Sequence, residues 1–166
     1  MKAFNLQKTA FYGLGLALAV ILSYLEFLIP LPLPAGIKIG FANIVTVFLI
    51  YNNDNSGAIL ISVLRVLIIN LLFGSVTGFL FGLSGTVMSF LIMILLKKSN
   101  LFSMVSVSAV GGIVHNIAQL LLCVLIMETT AIFSYLVLLV PSGLVAGILI
   151  GIITHKLLPL ARRIDK

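Results

Sequence analysis

Charge is what this sequence has least of. Only 8% of its 166 residues are Asp, Glu, Lys or Arg, where a soluble domain carries roughly a quarter. Hydrophobic residues make up 61% and the mean hydropathy is +1.31, so a water-soluble globular fold is excluded. Acids are scarcest, with four Asp and Glu in all, which leaves little for carboxylate chemistry. Asp54 and Asp165 stand alone, so the paired aspartates with which a soluble-type prenyl synthase holds Mg²⁺ on a diphosphate are missing. No Walker A motif is present to cradle ATP. The single cysteine, Cys123, excludes an internal disulfide and a thiolate metal cluster. With two histidines, one of them at a helix end, a metal site lacks donors. No catalytic residue, cofactor or metal is therefore expected, and the chain is not expected to be an enzyme by itself.

Long apolar runs are what the sequence does have. They are continuous rather than alternating, which excludes a β-barrel and requires helices. The expected fold is an all-α bundle of six transmembrane helices in one domain, residues 1–166. The segments run from about Thr9 to Ile29, Ile39 to Tyr51, Ala58 to Phe73, Gly78 to Leu96, Met104 to Met127 and Ile132 to His155. The first run is too long for the apolar core of a signal peptide, lacks a small-residue cleavage site after it, and reads as a retained helix. The second is short for a full span. Between them lies Pro30-Leu31-Pro32-Leu33-Pro34, whose alternate prolines forbid a helix and favour an extended segment, followed by Lys38. Asn52 to Gly57 is a polar turn, and Gly74 to Gly82 is a glycine-rich stretch that breaks the apolar run.

The net charge of +6 would suggest nucleic acid in a soluble protein, but here the cations sit at helix ends and signal topology. Six spans put both termini on one side with Lys2, Lys8, Lys97, Lys98, Lys156, Arg162, Arg163 and Lys166. Lys38 is the one cation in the opposite loops. The positive-inside rule then makes the termini cytoplasmic in a multi-pass protein of the cell membrane, with the proline-rich loop outside.

Against this apolar background the polar residues stand out. Arg65 lies deep in the third segment, at a cost on the order of 2.5–3.5 kcal/mol on insertion scales. The fifth segment carries His115, Asn116 and Gln119, and His115 and Gln119 fall one helical turn apart. With Asn43 and Ser142 these residues are expected to converge on an outward-opening cavity for an anionic or strongly polar small molecule. The alternative is that they bond one another as polar glue. Glu26, near the outer end of the first helix, reads as interfacial, with a binding role as the alternative. Gly13 and Ala17, and offset from them Gly15 and Ala19, form small-xxx-small pairs that permit close helix approach, whether to a partner or within the bundle.

Three stretches carry a family likeness. Gly36-Ile37-Lys38-Ile39-Gly40-Phe41-Ala42-Asn43-Ile44-Val45-Thr46, then Leu64-Arg65-Val66-Leu67 with Phe73-Gly74, and Gly112-Ile113-Val114-His115-Asn116-Ile117-Ala118-Gln119 together resemble the Gx transporter family, also labelled heptaprenyl diphosphate synthase component I. That family is similar to the substrate-binding S components of energy-coupling factor (ECF) vitamin transporters. The resemblance implies a six-helix fold that captures a vitamin, a flavin or a quinone or isoprenoid precursor. Pro30, Pro32, Pro34 and Lys38 would gate the site. Gly13 and Ala17 would dock an ECF coupling subunit, with ATPases supplying the energy. The synthase label implies a second possibility, a non-catalytic membrane subunit in isoprenoid diphosphate synthesis.

Overall fold

A computed structural model describes residues 6–28 and 40–164. Its helices are α1 (Leu6–Leu28), α2 (Asn43–Tyr51), α3 (Asn55–Phe73), α4 (Val76–Ser99), α5 (Met104–Met127) and α6 (Leu136–Ile164), with a 3₁₀ segment at Thr130–Tyr135 leading into α6. Five of these are long and apolar enough to cross a membrane. The shortest, α3, has 19 residues and spans about 28 Å, close to the thickness of a bilayer's hydrocarbon core. Their outer faces are apolar, with Leu14, Leu18, Leu71, Leu95, Leu125 and Val137 all exposed, as lipid contact demands. The chain is a multi-pass membrane protein.

The second expected span differs. α2 has nine residues, about 13 Å of helix, less than half a bilayer. It needs no lipid-facing length because it sits inside the bundle. Asn43, Val45, Thr46, Val47, Leu49 and Ile50 are buried. Its apolar side chains form the main core with Ala19, Ala58, Ile61, Phe90, Met93, Val107 and Ile150. The glycine-rich stretch expected to separate the third and fourth segments is interrupted only at Gly74 and Ser75. The Ser75 hydroxyl accepts from the Gly78 N–H at 3.1 Å and starts α4, leaving Gly78 and Gly82 inside that helix.

α5 and α6 make the closest backbone approach. A Cβ on Gly143 would lie 2.6 Å from the Gly112 carbonyl oxygen, one on Gly147 2.5 Å from Ser108 O, and one on Gly151 2.7 Å from Val105 Cα. The four-residue glycine spacing in α6 thus forms a groove into which the backbone of α5 fits. α1 is the opposite case. It packs chiefly on α3 and then α2, and only 17% of its spanning window is buried. Gly15 and Ala19 carry that packing, Gly15 against Ile61 and Val45. Gly13 and Ala17 are exposed, and a Cβ on Gly13 would meet nothing within 4 Å.

Both ends of α1 are held by polar contacts. At its start the Tyr12 hydroxyl donates to Asp54 Oδ2 at 2.5 Å, and Lys8 Nζ lies 3.9 Å from the same oxygen. Asp54 also caps α3 by accepting from the Gly57 N–H at 3.1 Å. At the same end Lys97 donates to Ile50 O and, at 2.8 Å, to Asn53 Oδ1. The other end of α1 leads into the site.

Candidate functional site

The site grows from Arg65, near the midpoint of α3 and 5% exposed. A guanidinium in this position must find acceptors inside the protein. Nη2 donates to Asn43 Oδ1 at 3.3 Å and to Thr86 Oγ1 at 3.4 Å, both long for N–H···O bonds. Nε is buried and has no acceptor among the described residues. The compensating charge is Glu26, on the last turns of α1 and also 5% exposed, which acts electrostatically on Arg65. Glu26 Oε1 in turn accepts the N–H of Gly40. Gly40 has φ +91°, a conformation that side chains with a Cβ rarely adopt. A Cβ there would also lie 2.9 Å from Asn43 Nδ2 and 3.5 Å from the His115 ring.

On α5 the Gln119 amide nitrogen donates to His115 Nε2 at 2.8 Å, the one-turn spacing made into a contact. Both side chains are buried. Behind them α4 comes close: a Cβ on Gly85 would lie 2.8 Å from His115 O and 2.9 Å from Gln119 Cγ. Together these elements enclose a cavity of about 30 Å³, with Ser23 and Glu26 from α1, Arg65 and Asn70 from α3, Gly78 and Gly82 from α4, His115 and Gln119 from α5, and Gly40 among its walls. That is room for about one or two waters. A second void of about 10 Å³ lies beyond Gly40 and Asn43, toward Met93, Gly112 and Gly147.

Arg65, His115 and Gln119 therefore share one cavity, and Asn43 is joined to it through Arg65. Asn116 and Ser142 do not line it. Asn116 is turned toward α6, where its Nδ2 donates to Leu139 O at 2.8 Å and to Ser142 Oγ at 3.4 Å. These two tie α5 to α6. Pro30, Pro32, Pro34 and Lys38 lie outside the described residues. Glu26, read as interfacial or else binding, is a cavity wall. Its signal was in the sequence, since a carboxylate inside an apolar span is by default a functional group. Ser23, Gly40, Asn70 and Thr86 were not singled out as site residues either. Small and neutral, they give no such signal.

Chemically the cavity offers a cation whose Nε–H has no acceptor among the described residues, an anion, an imidazole–amide pair and small residues that leave space. Among the described residues no three His, Cys, Asp or Glu side chains gather as a metal site. No curated protein and no solved structure matches the chain. The sequence model of one family, described as heptaprenyl diphosphate synthase component I, matches residues 16–157, a span that includes every residue lining the Arg65 cavity, and to that family the chain belongs.

Proposed function

We propose that this protein is the substrate-binding membrane subunit of an uptake system for a small polar metabolite, held in the Arg65 cavity. The observation that supports it is the buried Arg65 Nε–H, which has no acceptor among the described residues although its residue lines a cavity. A purely structural arginine would be expected to spend its donors on the protein. In this reading the structure is the closed state, with space for little more than water. Both termini are cytoplasmic. The exposed Gly13 and Ala17 face of α1 docks an ECF-type coupling subunit, and partner ATPases drive the cycle.

The family description favours a second reading: component I of a prenyl diphosphate synthase implies another component, and this chain would be its membrane-bound, non-catalytic partner. Two measurements separate the readings. The protein purified from its native membrane should carry a small polar metabolite, identified by mass spectrometry. That metabolite should bind at least about tenfold more weakly to Arg65→Gln and unchanged to Asn116→Ala. Equal affinity of Arg65→Gln and wild type would remove the Arg65 cavity from the function. Isolation in a stable complex with a soluble prenyl synthase, and without a coupling subunit, would establish the second reading instead.

A further inference from the structure

We infer that the ligand of the Arg65 cavity is amphipathic, with a polar head on the Arg65 side and an unbranched apolar tail that takes the place of the Met93 side chain against Gly111. The inference rests on the proposed binding function and narrows its ligand by shape. It starts from the two voids. Gly40 lines both, the one of about 30 Å³ at Arg65 and the one of about 10 Å³ beyond it, and has no side chain with which to seal them from each other. Asn43 borders the second void and accepts from Arg65 Nη2 at 3.3 Å, a bond long enough to be weak. The two spaces differ in chemistry. Arg65, Glu26, Asn70, His115 and Gln119 make the first strongly polar. Apart from Asn43 and Ser108, the described residues around the second are apolar or glycine.

Met93 is the movable wall of the second void. Gly112, Gly143 and Gly147 come against backbone atoms of the facing helix, so α5 and α6 are locked together there. Gly111 differs. The nearest atoms to a Cβ on it all belong to the Met93 side chain, with Sδ at 2.6 Å and Cγ at 2.7 Å. Helix packing does not require this glycine; the space of its missing methyl group is filled by the Met93 thioether. Methionine is unbranched, has three rotatable bonds and repacks more readily than the branched residues beside it, Val47 and Ile150. When Met93 turns away from Gly111 it vacates a channel as wide as a methylene chain and about four heavy atoms long, the size of its own side chain. That channel meets the Arg65 cavity at Gly40. The fixed α5–α6 backbone on its far side leaves no width for a branched chain.

The test uses the full chain in dodecyl maltoside and two pairs of probes, acetate with hexanoate and acetamide with hexanamide, so that the tail is read separately from the charge of the head. Ligand-observed NMR titration gives each affinity, and binding is counted only where Arg65→Gln weakens it, which removes partition into the micelle. Within a pair whose head binds, the longer probe is expected to bind at least about tenfold more tightly than the shorter one. Gly111→Ala, which sets a methyl group in the slot, should cut that gain to less than about threefold. Met93→Ala, which empties the slot, should raise it. Arg65-dependent binding with no gain from the tail would overturn this inference and leave the binding function standing. So would a gain that either variant leaves unchanged. Absence of Arg65-dependent binding by all four probes would overturn the inference and count against the Arg65 cavity as a binding site.

Discussion

Arg65 and Glu26 line one cavity as opposite charges, and Glu26 acts electrostatically on Arg65. Both are 5% exposed, and removing one of two opposite buried charges leaves the other less compensated, whereas removing both is milder. Arg65→Gln and Glu26→Gln should therefore each lower the midpoint of unfolding in mixed detergent, and the double variant should lie closer to wild type than either single one. Strict additivity of the two losses would show that the residues do not act on each other. The difference between His115 and its neighbour Asn116 is also a matter of single residues. One step along a helix turns the side chain by about 100° and four steps by about 40°. Gln119 thus joins His115 at the cavity while Asn116 is sent to α6. The one-step offset carries that separation, although Asn116 was expected at the cavity with its neighbours. A carboxylate in an apolar span is itself a signal, but what buries Glu26 was not legible, because the covering residue, Gly40, is 14 positions away in the chain.

At the scale of elements, the sequence announces long spans well and short ones poorly. Apolar run length marks α1, α3, α4 and α5 to within about three residues but ends α6 well short, at His155 where the helix continues to Ile164, and Asp54 and Ser75 supply the helix starts. α2 has the same apolar composition in nine residues, and composition alone does not tell a lipid-facing helix from one enclosed by protein. The glycines of α4 mislead in the same way. They read as a break, yet Gly82 packs inside the helix, where a Cβ would come 2.9 Å from Val66 Cγ1. Glycine in a membrane helix marks close approach as often as a turn. This gives a paired prediction. Gly143→Val forces α6 away from α5 and should destabilise the protein by about 1–3 kcal/mol. Gly13→Val, with nothing within 4 Å of the new Cβ, should change stability by less than about 0.5 kcal/mol. Thermal unfolding in one detergent compares them directly. Equal losses would mean that α5 and α6 are not locked by their glycines.

Over the whole molecule, the charges are sorted by end. Lys8, Lys97 and Asn53 meet at the α2–α3 turn, with Lys98 at the end of α4, while Glu128 ends α5 at the opposite side. The expected sidedness puts the lysine end in the cytoplasm. Because Cys123 is buried, it gives little background for thiol labelling. In intact cells Thr129→Cys should react with a membrane-impermeant maleimide, and Ser99→Cys only after permeabilisation; the reverse pattern would invert the topology. The clasp at this end has a further consequence, in the order of synthesis. Lys8 and Tyr12 leave the ribosome first, but their partner Asp54 follows 42 residues behind Tyr12, and Arg65, the counter-charge to Glu26, comes later still. α1 therefore enters the bilayer before any part of the bundle that will hold it exists. Its wide apolar face lets it wait there in lipid, and the emergence of α3 delivers both of its anchors.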